Sequence, residues 1–127
     1  MRFVTAAVMA IALVACTTTV GDWVFLGERT VTFKAEHDSI LVTAGAGEFS
    51  RLKLLVGRAG VEILDVKVVY GNGRVQDIPV RAFIPAGGET RTLDLVGGER
   101  AVRSVELSYR SGRGRGRHAL VQLWGRR

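Results

Sequence analysis

One cysteine, two histidines and two prolines are all that this chain of 127 residues carries of the side chains that build disulfide frameworks, soft-metal centres and rigid turns. A single cysteine excludes an internal disulfide and leaves no cysteine cluster for structural zinc. His37 and His118 would need carboxylates to complete a zinc site. Helical periodicity is missing too. After residue 15 no segment places apolar residues at i, i+3, i+4 and i+7 over three turns, and none is a long enough apolar run to be a membrane-spanning helix. Carboxylates are absent from residues 110–127. The chain as a whole, 47% hydrophobic and 24% charged, has ordinary globular composition, which excludes a disordered or collagen-like chain.

What is present begins with an address. Met1-Arg2 precedes an almost unbroken apolar run, Phe3 to Ala15, and then Cys16. One positive charge before a short apolar stretch is the layout of a secretory signal, and a permanent membrane helix needs about 20 apolar residues. Leu13-Val14-Ala15-Cys16 resembles the lipobox of bacterial lipoprotein signal peptides. That resemblance implies cleavage before Cys16 and acylation of its sulfur, hence export, anchoring by lipid and a periplasmic or cell-surface location. Thr17, in place of Asp, implies the outer membrane where the enteric sorting pattern applies. An ordinary signal peptide with a cysteine near its cut is the alternative. The expected organisation is a cleaved signal helix at 1–15, a lipidated tether at 16–22 and a single domain at 23–127.

Within that domain the period is two. Val105, Leu107 and Tyr109 fall on one face of an extended segment, with Ser104, Glu106, Ser108 and Arg110 on the other. Thr30–Lys34, Arg51–Val56 and Thr90–Leu95 alternate in the same way, and His118–Trp124 supplies the last strand. Val61–Tyr70 is apolar on both faces in its second half, as a central strand would be. Asn72-Gly73 marks a hairpin. The return strand Val75–Ile84 contains Pro79, which cannot donate to a ladder and predicts an edge position or a bulge. About eight short strands at this spacing predict an all-β antiparallel sandwich or a small barrel.

Several of these segments carry a likeness. Trp23 with Leu26-Gly27, Tyr70-Gly71-Asn72-Gly73, Leu93-Asp94-Leu95 before Gly97, Val105-Glu106-Leu107-Ser108-Tyr109 and Leu123-Trp124-Gly125 resemble a family of small exported bacterial all-β proteins known as a domain of unknown function. The resemblance implies the fold and no activity, because its motifs are structural.

Charge is concentrated at the C-terminus, where Arg110, Arg113, Arg115, Arg117, Arg126 and Arg127 meet no acid. Arg113, Arg115 and Arg117 alternate with glycine in a segment joining the last two predicted strands. A guanidinium is a planar fork of donors suited to phosphate or carboxylate. The three arginines are therefore candidate anion-binding residues, able to meet lipid phosphate, lipopolysaccharide or another anionic polymer. A solvated loop that aids solubility is the competing reading. Nucleic acid is not an expected partner, since no aromatics interleave and export removes it.

Other polar groupings amount to less. Glu36-His37-Asp38 reads as a polar turn whose adjacent side chains point apart, and catalysis there would need Asp65 or Asp94 in the same cleft. Asp65 and Asp94 are expected to face inward, paired with arginines. Gly45-Ala46-Gly47 lacks the third glycine and the helix of a dinucleotide site. No serine lies in a nucleophile-elbow context. Trp23 and Trp124 read as core residues closing the sandwich, with a sugar-stacking platform as the alternative. The expected function is a non-enzymatic envelope lipoprotein that binds or scaffolds, without metal or cofactor. A glycan- or peptide-recognition domain is the second reading and a hydrolase the remote third.

Overall fold

The alternating segments assemble into two antiparallel sheets laid face to face. The computed structural model describes residues 19–32, 36–42, 45–111 and 118–127. The leader, Cys16 and the three loop arginines Arg113, Arg115 and Arg117 lie outside the described residues. The strands are β1 (Thr19–Val20), β2 (Trp23–Val31), β3 (His37–Leu41), β4 (Glu48–Phe49) and β5 (Arg51–Gly57) in the first half. The second half gives β6 (Val61–Tyr70), β7 (Val75–Ile84), β8 (Leu93–Asp94), β9 (Arg100–Ser111) and β10 (Ala119–Arg126). Sheet I has the order β1-β2-β10-β5-β8, and sheet II the order β3-β9-β6-β7 with β4 added to β9. The sheets remain separate, so the fold is a sandwich and not a closed barrel.

The period-two pattern explains what fills the interior. Leu52, Leu54 and Val56 from β5 meet Val121 and Leu123 from β10 and Val105, Leu107 and Tyr109 from β9, all buried. Val61–Tyr70 is central as its apolar character requires, pairing with β7 on one side and β9 on the other. A bulge between Ile63 and Asp65 lets Ile63 and Val66 both face inward. Pro79 lies opposite Asp65 on β7, the outermost strand of sheet II, where its missing N–H disrupts no interior ladder. Gly73 at φ +89° closes the β6–β7 hairpin and donates to the Tyr70 carbonyl at 2.9 Å.

Three expectations require correction. Glu36-His37-Asp38 is not simply a turn: His37 begins an edge strand, because its register with Ser108 extends the β9 ladder. Of Thr90–Leu95 only Leu93–Asp94 is strand, since Thr90 instead turns its hydroxyl to the Leu54 amide at 3.1 Å. Asp65 and Asp94 do not face inward. Asp94 sits on the surface with its side chain 81% exposed, and Asp65 shares the outward face with Ser108.

Glycine sets how closely the layers approach. A Cβ on Gly125 would stand 2.8 Å from Leu26 Cδ1 and 2.9 Å from Phe49 Cδ1, inside the contact distance of real side chains. Gly125→Ala is expected to cost roughly 1–3 kcal/mol by overpacking. Gly57→Ala, whose Cβ would meet nothing within 4 Å, should be nearly neutral. Urea unfolding of the two variants tests the difference, and equal midpoints would refute the packing argument.

Candidate functional site

Among the described residues, β2 beyond its short pairing with β1 is an unpaired margin of sheet I that neighbours β3, the edge of sheet II, and a polar groove of about 410 Å³ runs over β3, β9 and β6 beside Arg29 of β2. Its lining includes Arg29, His37, Asp38, Ser39, Lys67, Glu106 and Ser108. Alternation along β3 sends His37 and Ser39 to the outward face of sheet II, while Asp38 and Ile40 turn toward the other sheet. Asp38 there receives Arg29 Nε from β2 at 2.7 Å and the Tyr109 hydroxyl from β9 at 3.2 Å. Its side chain is 15% exposed, against 56% for Arg29, so the carboxylate is the half-buried partner of this cross-link. Gly27 makes the approach possible: a Cβ there would lie 2.8 Å from the Leu41 carbonyl oxygen and 2.9 Å from Ile40 Cγ2.

On the outer side of the same strand His37 Nδ1 and Ser108 Oγ are 3.1 Å apart. Asp65 is the next residue in that cross-strand row, beyond Ser108 and not beside the imidazole. A serine activated by histidine needs a third group holding the second ring nitrogen. Among the described residues no carboxylate is hydrogen-bonded to His37. Nor do three metal-ligating side chains converge anywhere among them. Glu36 thus precedes the strand that carries His37 and Asp38, and those two side chains point to opposite faces of it.

The second feature lies on the outward face of sheet I. Trp23, Phe25 and Trp124 stand together there, with Phe25 edge-on to Trp124 at 5.5 Å between centroids. Trp124 is only 8% exposed, yet it is covered on the outside of the sheet and is not part of the core between the sheets. Lys53 Nζ lies 4.4 Å and Arg126 Cζ 5.2 Å from the centre of the Trp23 ring. Lys53 also pairs with Glu89 at 3.4 Å. The tryptophans therefore do not close the interior, because each occupies the outward phase of its strand.

A family model, described as a domain of unknown function and numbered DUF2541, matches residues 3–125. The chain belongs to the DUF2541 family. This agrees with the likeness carried by Trp23, the Tyr70–Gly73 hairpin and Leu123-Trp124-Gly125, and it brings no activity with it. Among solved structures the chain is similar to AlgX of Pseudomonas aeruginosa, with a TM-score of 0.52 and 17% identity. The alignment covers 78% of this chain and 26% of AlgX, so the chain spans about a quarter of that protein. At that identity the likeness is one of fold alone. No curated protein matches the sequence.

For this DUF2541 chain, Arg29 and Tyr109 are the residues that sequence reasoning missed. Period two placed Tyr109 inward, but nothing local paired it with an acid some seventy residues away. Burial, then the Asp38 charge and its hydrogen bond, push the Tyr109 phenol up to about 12, with Arg29 opposing. Burial also raises Tyr70. The fold retains a proton that the unfolded chain releases near 10, so this contribution is full below pH 10 and is lost as pH rises through about 12. Tyr109→Phe is expected to flatten the decline between those values while costing about 1 kcal/mol at neutral pH through the lost hydrogen bond. Denaturant titrations at graded pH measure both, and an unchanged alkaline slope would remove Tyr109 from the account.

Proposed function

We propose that this domain is a non-enzymatic binding module, exported and held at the envelope by lipid on Cys16, that engages phosphate or carboxylate groups through cationic side chains. The observation that carries the reading is how the polar groups are used. Arg29 and Asp38, which line the groove, are spent on joining the two sheets, and the Tyr109 hydroxyl is spent on the same carboxylate. Among the described residues, none supplies His37 and Ser108 with the third group that would make them a catalytic pair. The arginines of the β9–β10 connection have no acid near them in sequence.

Anchoring and binding are tested separately. Mass spectrometry of the mature protein should find Cys16 as an acylated first residue, and a free thiol there would refute the anchor. Replacing Arg113, Arg115 and Arg117 with Ser should weaken binding to lipopolysaccharide by roughly 1 kcal/mol for each arginine. The wild-type affinity should fall as salt is raised. Binding that ignores both the substitutions and the salt would refute the cationic reading.

A second reading, glycan recognition by the outer face of sheet I, is favoured by the contiguous Trp23, Phe25 and Trp124. Against it, two cations already sit over the Trp23 ring. Glycan-array binding that disappears in Trp23→Ala and persists at high salt would select this reading over the first.

A further inference from the structure

The two sides of the sandwich are closed by different means. On one side β2 and β3 meet at Gly27 and through Arg29 and Asp38. On the other lies β7, the outermost strand of sheet II, and among the described residues no strand pairs with its free side. At ten residues it is a long edge, and Val75 and Phe83 stand on it more than half exposed. A long edge with apolar side chains is a template on which another strand can add.

Register fixes which backbone groups face that free side. Tyr70 N–H donates to the Arg74 carbonyl at 2.8 Å, and Val68 opposite Gln76 and Val66 opposite Ile78 continue the same bonded phase. Val75, Asp77 and Pro79 therefore turn their main-chain groups away from β6. Pro79 has no N–H to offer there. Its carbonyl is taken as well, by Arg91 Nη2 at 2.8 Å. Arg81, at φ +47°, breaks the straight run just beyond.

A strap delivers that guanidinium. The segment carrying Thr90 to Val96 is tied to β5 of sheet I, with Thr90 N–H on the Leu54 carbonyl and Leu95 N–H on the Ser50 carbonyl, each at 2.9 Å. Leu93 and Leu95 are buried beneath it. Toward sheet II, Gln76 Oε1 accepts from the Val96 N–H at 3.0 Å and from the Tyr70 hydroxyl, and its Nε2 donates to the Asp94 carbonyl at 3.2 Å. Arg91 is thus anchored on one sheet and spent on the edge of the other.

We infer that β7 is a strand-addition edge held shut by Pro79 and Arg91, and that the strand it excludes is β7 of a second copy of this chain. Symmetry selects that occupant. Antiparallel pairing about a two-fold axis at Asp77 sets Val75 of each copy opposite Pro79 of the other, so one proline and one arginine block both ends of the shared ladder. A foreign strand would meet the block once. The same axis brings the two Asp77 carboxylates face to face, which disfavours pairing further. The plug acts whether or not Cys16 carries lipid and whether or not the chain binds anions.

Sedimentation velocity on the full chain, with every variant in the same detergent, tests this. Pro79→Thr combined with Arg91→Ser restores a donor and frees a carbonyl at both ends of the ladder. It should lower the concentration for half-association by roughly a hundred-fold or more relative to wild type. Adding Val75→Lys, a charge on the opened edge, should reverse the effect. Gly125→Ala, which strains the packing and leaves the plug intact, should associate no more than wild type. A cysteine probe locates the contact: Asp77→Cys in a Cys16→Ser background should cross-link between copies only when Pro79 and Arg91 are replaced. The two Cα atoms would then lie about 5.5 Å apart, within disulfide reach. An opened chain that stays as monomeric as wild type would overturn the inference. So would equal association of Gly125→Ala, which would make instability the cause, or cross-linking through position 77 with the plug in place.

Discussion

The close approach of β2 and β3 is the constraint on which the rest of the molecule depends. These two strands belong to different sheets, and among the described residues no ladder joins them. Their contact is made by subtraction at Gly27, where the absence of a side chain admits the Leu41 carbonyl and the Ile40 side chain. It is then held by addition, with Asp38 taking Arg29 from the opposite sheet and Tyr109 from its own. A charged pair in a half-buried groove gains less than its Coulomb attraction suggests, because both groups give up hydration. The phenol donor matters for that reason: it satisfies a second carboxylate oxygen that water would otherwise claim.

That clamp also decides what the groove can do. A carboxylate bound to a guanidinium and a phenol is occupied, and it is poorly placed to take a proton from a substrate. The imidazole on the other side of β3 is oriented by Ser108, and among the described residues no carboxylate is hydrogen-bonded to it. Pleating separates the two, since adjacent residues of an extended strand point apart even when both border one groove. The molecule's titratable groups thus contribute to architecture on this edge.

Much of this could be read from the sequence, and the residues show why. Val105, Leu107 and Tyr109 alternate with polar neighbours, and burial of one face follows from the strand period alone. Pro79 predicted an edge or a bulge and is found at an edge, close to a bulge, because a missing donor is a local property. The failures were all matters of partnership. His37 became a strand because β9 was alongside it, Asp94 pointed outward because Arg51 was on the next strand, and the tryptophans lay outside because of the phase of β2 and β10. Arg29 gave no signal at all, since its acid is reached only across the space between the sheets.

The sequence by itself determined that the chain would be extended, layered and punctuated by glycine, that an apolar run leads up to Cys16, and that cations gather in its final segment. Each of these depends on neighbours within a few residues. The tertiary structure decided which edges meet and that Asp38 would be spent on a cross-link. Strand order and register fix those relations. They bring together residues many positions apart, and no local period carries that information.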